Sequence, residues 1–407
     1  MVEQVEKWHR AFGQVLHRAH LASAGDLADI VNNAAAPVGV SVQVYLADMS
    51  QGRLCPVQSG PALLVDSTTA GEAFQRTEIV PVDAVGSTPP YLWIPLLNGT
   101  ERLGVARVDL PPDADPHDTW LREQCWALVG LTAHLVMSKQ HYSDLFHTVR
   151  RSEPLSVASE LLRQLLPPQT FACDQLVVSA LMEPSSRVAG DGYDYAIDAG
   201  RAYLGIFDAM GHDMNAGLIT SVALAATRNA RRNGFSASKG VELADEAIRE
   251  VVAPKGFVPF ATALIAELDL DTGVLRYLNA GHPPAVLLRA GKVVGHLDRR
   301  CGMPLGLGHL GHPRGGPVTV RLQPGDKVLF YTDGVTEARS TDGEMFGLDQ
   351  LIHLIELHER AGLPTPETLR RITRAVMHHQ NGHLSDDATL LLVEWDASAP
   401  NALLPEL

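Results

Sequence analysis

Residues 203–220 read YLGIFDAMGHDMNAGLIT. An apolar run from Tyr203 to Phe207 leads straight into Asp208, then through a Gly-His-Asp turn into an apolar helix. A carboxylate at the end of a buried strand costs several kcal/mol unless something positive compensates it. A fold for this chain must therefore supply Asp208 with a cationic partner.

Three more acidic residues share that local design of strand end or turn, small neighbours and apolar flanks. They are Asp191 in VAGDGYDY, Asp333 in VLFYTDGVTEA and Asp386 in LSDDATLLLV. Each alone has an ordinary reading, since TDG commonly makes a turn and SDD before a strand commonly makes a solvated loop. Together they are harder to explain that way, because four aspartates at the rim of one strand system repel one another unless cations neutralise them. Oxygen ligands without His or Cys select hard ions such as Mg²⁺ or Mn²⁺. Two such ions sharing a carboxylate form a hydrolytic site for phosphate esters. No Cys-x5-Arg loop, G-x-S-x-G elbow or P-loop is present to suggest other chemistry.

The 407 residues suit two or three domains. Residues 4–32 carry helical periodicity through Trp8, Phe12, Val15 and Leu16, VSVQVYLAD (40–48) alternates as a strand, and YLWIPLLNGTERLGVARVDL (91–110) reads as a hairpin about NGTE. A Pro/Asp-rich connector, PPDADPHD (111–118), precedes a helical pattern over 118–150 in which Leu121, Leu128, Leu135, Tyr142 and Val149 recur every seven residues. That seam suits equally a helix packed on its own domain and a dimeric coiled coil. A second helix is expected over 152–168, capped by Ser152 and stopped by Pro167-Pro168. From 174 onward, eight short strands with hairpin turns alternate with helices in pairs (216–233 and 239–252, then 346–361 and 366–379), which argues for two antiparallel sheets covered by helices.

The net charge of −14, with no basic run longer than a pair such as Arg231-Arg232, makes nucleic acid an improbable ligand. The longest apolar stretch, CWALVGLTAHLVM (125–137), has 13 residues, against the roughly 20 that a bilayer span needs. The polar N-terminus lacks an apolar signal core, and four scattered cysteines have neither metal nor disulfide spacing, so a cytoplasmic location is expected.

VAGDGYDY, DAMGHD, LNAGHPPAVLLR, PLGLG, YTDGVTEA and DDATLLLV stand in the order found in SpoIIE/RsbU-type PPM metal-dependent serine/threonine phosphatases, and residues 150–396 resemble that family. The resemblance implies an α+β fold, an αββα sandwich holding two divalent ions, Mn²⁺ or Mg²⁺. Carried over by position, Asp208 bridges both ions, the Ala209 carbonyl ligates one, Asp333 and Asp386 hold the first, and Asp191 serves the second. The chain departs from the family at Ala189-Gly190-Asp191, where Gly-Gly-Asp is usual, and at Asp213, where Gly is usual. Asp387 stands where eukaryotic relatives have Asn.

Residues 1–115 are similar to a GAF domain, implying a sensor for a small molecule or protein. The expected organisation is a GAF-like α/β sensor (1–115), a helical linker (116–168), a phosphatase domain (169–397) and a tail (398–407). The family resemblance also implies a STAS-type anti-sigma-factor antagonist as phosphoprotein substrate, and a homodimer is expected. The rival class is a catalytically weak signalling or binding module of the same fold. Arg187, four residues before Asp191, is a candidate for substrate phosphate, though loop arginines are commonly just solvated. His282 in NAGHPP is expected to brace its loop rather than react, Glu337 is a candidate hydrogen-bonding group at the cleft, and HHQNGH (378–383) is expected to be an exposed helix end rather than a metal tract.

Overall fold

A computed structural model describes every residue except Met1, Glu153, 184–189, 212–213, 252–257, Arg300, 312–315, His383 and Leu407. The chain divides into two compact units, Met1–Glu153 with Asn401–Leu407, and Pro154–Pro400.

The first unit is built on one antiparallel sheet. Its strands lie in the order Leu63–Leu64, Arg53–Pro56, Ser41–Ala47, Glu101–Asp109, Tyr91–Asn98 and Val80–Val82. Alternation along Ser41–Ala47 sends Val42, Val44 and Leu46 to one face and Tyr45 and Ala47 to the other. The first face is covered by helices Val2–Ala19, Leu27–Ala35 and Thr119–Gln140, the second by the short helix Thr69–Arg76. The expected hairpin forms, with Asn98 opposite Glu101.

The heptad seam turns inward. Leu128 is fully buried, and Leu121, Leu131 and Leu135 pack against the same core. The helix also stops at Gln140, where Ser143 accepts from the backbone of Leu145, and a separate turn, Leu145–Val149, follows. Ser and Asp compete for backbone hydrogen bonds there, so the helix expected over 118–150 is broken. The second expected helix is shorter too. It runs Val157–Leu165 with Ser156, not Ser152, as its cap, accepting from the Ser159 amide at 3.1 Å. Leu166, placed before a proline, is extended and ends it.

The second unit holds two six-stranded sheets. In the first, Cys301–Gly302, Val274–Ala280, Ala261–Asp269, Arg201–Ala209 and Asp191–Asp198 lie side by side, with Val318–Arg321 also paired to Val274–Ala280. In the second the order is Lys292–His296, Val286–Arg289, Asp326–Tyr331, Ala388–Trp395, Leu176–Glu183 and Thr170–Cys173. Leu204, Ile206 and Leu264 of one sheet meet Val178, Phe330 and Leu391 of the other in a shared core. Helices Val157–Leu165, Met214–Arg232 and Ala237–Arg249 cover the first sheet, and Gly347–Arg360 and Thr365–His379 cover the second. This unit is the αββα sandwich expected from the motifs.

One strand departs from its propensities. DGYDYAID forms the end strand of its sheet and is buried along most of its length, although three aspartates and a glycine disfavour a strand. It pairs along its whole length with Arg201–Ala209 through a two-residue turn in which Ala199 (φ 47°) and Gly200 (φ 75°) are both left-handed, the twist that tight hairpins prefer.

Helix Thr365–His379 carries a buried internal pair: Glu367 accepts from Arg370 at 2.8 and 2.9 Å, both side chains being 1% exposed, and from the more exposed Arg371. Removing the charge of Glu367 takes a buried carboxylate partner from Arg370 in the interior. Glu367→Gln is expected to destabilise the second unit by about 3–5 kcal/mol, and Arg371→Ala by less than about 1 kcal/mol. Urea unfolding midpoints of the full chain test this contrast, and equal shifts for the two variants would refute it.

Candidate metal centre

Strand parity decides where the carboxylates go. Along Arg201–Ala209, Leu204 and Ile206 face the core between the sheets, so Asp208 takes the same side; along Asp191–Asp198, Tyr193 and Tyr195 do, and so Asp191 takes it too. Asp191 and Asp208 are direct partners across the ladder, an arrangement that like charges oppose. Both sit at one mouth of the sandwich.

The second sheet closes that mouth with hydroxyls and a third carboxylate. The backbone of Thr332 donates to the Thr389 carbonyl at 3.1 Å and the Thr389 amide donates to Thr332 Oγ1 at 3.0 Å. The Thr332 hydroxyl then donates to Asp191 Oδ2 at 2.6 Å. Asp387 is buried and accepts from the Gly190 amide at 2.7 Å. It therefore ties the loop before Asp191 to the second sheet. Asp333 opens a single helical turn, Asp333–Thr336. Gly334 of that turn lies so near the Asp386-Asp387 segment that a Cβ there would overlap the Asp387 carbonyl oxygen. Asp386 is exposed and accepts from the Asp387 amide at 2.9 Å.

Glycine is also required at 190, where a Cβ would lie 2.8 Å from the Ala209 carbonyl oxygen. The Ala209 amide and the Thr220 hydroxyl both donate to the Gly190 carbonyl, and Met210 donates to Phe260 at 3.2 Å. Backbone at Ala209 is thus held beside the carboxylates, and Gly211 turns the chain with φ 99°.

Among the described residues, burial and like charge dominate the electrostatics of Asp208 and Asp191. Burial, with the charges of Asp333, Asp386 and Asp387 added, pushes Asp208 up to about 7. Burial, then Asp208 and Asp387, holds Asp191 well above the ordinary aspartate range, against the opposing hydroxyl of Thr332. Among the described residues, no arginine or lysine figures in the main influences on either group. The contrast with Asp194 is instructive. Three residues further along the same strand and on the opposite face, it receives Arg228 at 2.6 Å and Arg231 at 3.0 Å.

Asp191, Asp208, Asp333 and Asp386 are therefore brought to one mouth, with the Ala209 backbone beside them. Arg187, Ala189, His212 and Asp213 lie outside the described residues. Among the described residues, no three His, Cys, Asp or Glu groups converge tightly enough to enclose an ion by themselves. What converges is hard-oxygen chemistry and negative charge, and that donor set suits Mg²⁺ or Mn²⁺. Thr262, Thr332 and Asp387 also belong to the mouth: the two threonines carry no spacing signal, and Asp387 is marked only by its place in the DDATLLLV motif.

His282 is a brace. Only 3% exposed, it accepts or donates through Nδ1 to Thr262 Oγ1 at 2.8 Å and through Nε2 to the Tyr331 carbonyl at 3.1 Å, and its backbone exchanges two bonds with the Asn279 side chain at 2.8 Å. Burial depresses its pKa to about 3. Glu337 is exposed. His378 is exposed too, and His379 bonds the Glu344 carbonyl and meets the Phe346 ring edge-on.

Residues 198–396 match the profile of the family described as Stage II sporulation protein E (SpoIIE). Protein IcfG of Synechocystis sp. is 26% identical over 266 residues, covering 59% of this chain and 41% of that protein. Phosphoserine phosphatase RsbU of Bacillus subtilis is 23% identical over 239 residues, covering 59% of this chain and 69% of RsbU. The SpoIIE match falls within the second unit. Among solved structures, the SiaA-PP2C domain of Pseudomonas aeruginosa aligns with a TM-score of 0.49 at 24% identity, over 59% of this chain and 94% of that one. This chain thus spans less than half of IcfG, and the SpoIIE profile leaves the first unit unmatched. No helix among the described residues is long and apolar enough to cross a membrane.

Two outcomes are expected from this geometry. Gly334→Ala must displace the Asp386-Asp387 segment, so it is expected to lower both the melting temperature and Mn²⁺ affinity, measurable by calorimetry; an unchanged affinity would show that the contact does not position Asp386. His282 titrates near 6.5 when unfolded and near 3 when folded, so the unfolded chain takes up the proton first. Its contribution to stability is complete above pH 6.5 and falls as pH drops toward 3. Between pH 6.5 and 5, wild type should lose about 2 kcal/mol more than His282→Asn, read as the difference in pH slope of denaturant unfolding. Parallel slopes would refute the assignment.

Proposed function

We propose that this protein is a metal-dependent protein serine/threonine phosphatase whose activity is controlled by its first unit. The observation that carries the reading is the pair Asp191 and Asp208, buried opposite each other with no cationic side chain among the described residues to compensate them. In this reading Asp208, the Ala209 carbonyl, Asp333 and Asp386 would hold one divalent ion, Mn²⁺ or Mg²⁺, and Asp208 with Asp191 would hold a second. Bound there, the ions supply Lewis acidity for phosphate-ester hydrolysis by water. The protein's own contribution is positional. Thr332 holds the Asp191 carboxylate, Asp387 holds the loop before it, and the Gly334 turn sets Asp333 against Asp386. Arg187 is assigned to the substrate phosphate.

For the substrate we infer a phosphorylated STAS-type anti-sigma-factor antagonist. The family match and the similarity to RsbU, a protein named as a phosphoserine phosphatase, support this reading. We assign sensing to residues 1–115 as a GAF-like module that takes a small molecule or protein, helical connection to 116–168, catalysis to 169–397 and a tail to 398–407, in a cytoplasmic homodimer. The curved antiparallel sheet with helices on both faces supports a sensor of that kind.

Hydrolysis of p-nitrophenyl phosphate and of a phosphoserine peptide, each with Mn²⁺, Mg²⁺ or EDTA, tests the enzyme reading. Asp208→Asn and Asp333→Asn are each expected to reduce metal-dependent kcat/KM at least about a hundredfold, several kcal/mol of lost stabilisation. Turnover indifferent to EDTA, or surviving in Asp208→Asn, would sink it.

A further inference from the structure

His282 and Thr262 form a hydrogen-bonded chain whose direction can be read from its ends. The Tyr331 carbonyl can only accept, so the Nε2 atom 3.1 Å away carries the proton. The imidazole is buried and neutral, so Nδ1 is a bare acceptor. The group 2.8 Å from it is the Thr262 hydroxyl, which must therefore donate to it. A hydroxyl has one proton. Thr262 Oγ1 also lies 3.5 Å from Asp208 Oδ2, and toward that carboxylate it has only lone pairs to offer. Thr262 is the direct ladder partner of Asp208, the neighbour on that side best placed to donate to it.

We propose that His282 and Thr262 are positioning residues that deny Asp208 a protein hydrogen-bond donor: the imidazole draws the threonine proton away, and the carboxylate stays open for a divalent cation. The same imidazole joins the two walls of the mouth. Its loop follows Val274–Ala280 of the first sheet, and its Nε2 bonds the last residue of Asp326–Tyr331 in the second, two residues before Asp333. One neutral side chain thus sets the polarity around Asp208 and ties the strand leading to Asp333. The proposal rests on the metal-centre reading given above.

A double-mutant cycle on the full chain tests it, with Mn²⁺ alone as the probe and electron paramagnetic resonance titration as the readout. In His282→Leu the Thr262 hydroxyl loses its acceptor and turns to Asp208. A hydroxyl donating to a carboxylate is a strong bond, so Mn²⁺ affinity is expected to fall about tenfold. Thr262→Val alone removes a group that was not donating to Asp208 and should change affinity less than about threefold. The double variant should return to within about threefold of wild type, because the misdirected donor is gone. His282→Asn, which keeps an acceptor for Thr262, should also retain affinity and guards against misfolding of the leucine variant. If His282→Leu binds Mn²⁺ as wild type does, or if the double variant binds more weakly than His282→Leu, the proposal fails and His282 is a structural brace only. If wild type itself binds no Mn²⁺, the metal-centre reading fails first and this inference falls with it.

Discussion

Two aspartates set opposite each other across one β-ladder, buried at the mouth between two sheets, govern the design of the second unit. Burial and mutual repulsion both oppose their ionisation. A chain under selection for stability alone would replace one of them or supply an arginine. This chain does supply arginines on the same strand, but to Asp194 on the opposite face. Asp194 fastens helix Met214–Arg232 to the sheet, whereas among the described residues no cationic side chain is a main influence on Asp191 or Asp208.

Everything around that mouth works by backbone and hydroxyl groups rather than by charge. Thr332 donates to Asp191, Thr262 turns to His282, and Asp387 accepts from the Gly190 amide. Glycine at 190 and 334 allows two backbone segments to approach closely enough that a Cβ would collide with carbonyl oxygens. Neutral donors can hold a carboxylate in place without cancelling its charge, and a lysine or arginine in the same position would compete directly with a metal ion. The absence of described cations among the main influences on Asp191 and Asp208 is therefore part of the same arrangement as the threonines.

The carboxylates of the mouth are legible in the sequence because each stands at an abrupt boundary. Asp208 follows an apolar run, Asp333 follows VLFYT, and Asp386 precedes ATLLLV, so the order of residues alone places them at strand ends and turns. The pairing of Asp191 with Asp208 is not legible, since register between strands is set by side-chain contacts and turn geometry that composition does not reveal. The strand carrying Asp191 is hidden for a related reason. DGYDYAID looks like a loop by propensity, and burial on the inner sheet overrides that preference. In the first unit, the heptad repeat over 118–150 is real, but its leucines face their own sheet, and Ser143 and Asp144 end the helical run before a longer seam can form. A repeat records which residues want burial, not which surface buries them.

The two tasks of the second unit fall on different parts of one sandwich. Its stability comes from the apolar interior, where Leu204, Ile206 and Leu264 meet Val178, Phe330 and Leu391, and from outer helices with buried internal pairs such as Glu367 with Arg370. The mouth contributes the opposite, a cluster of acids that the interior must hold in place. A metal that binds only the folded state would stabilise it through mass action, so occupancy of the mouth and stability of the sandwich are one equilibrium. Because parity places Asp191 and Asp208 on the inner faces of strands whose neighbouring residues form the core, loosening of that core moves the site with it. Thr262 is the second residue of its strand, while Thr332 follows directly on the end of its strand and His282 comes two residues after the end of its own. They are the point at which packing of the two sheets becomes spacing between the acidic groups.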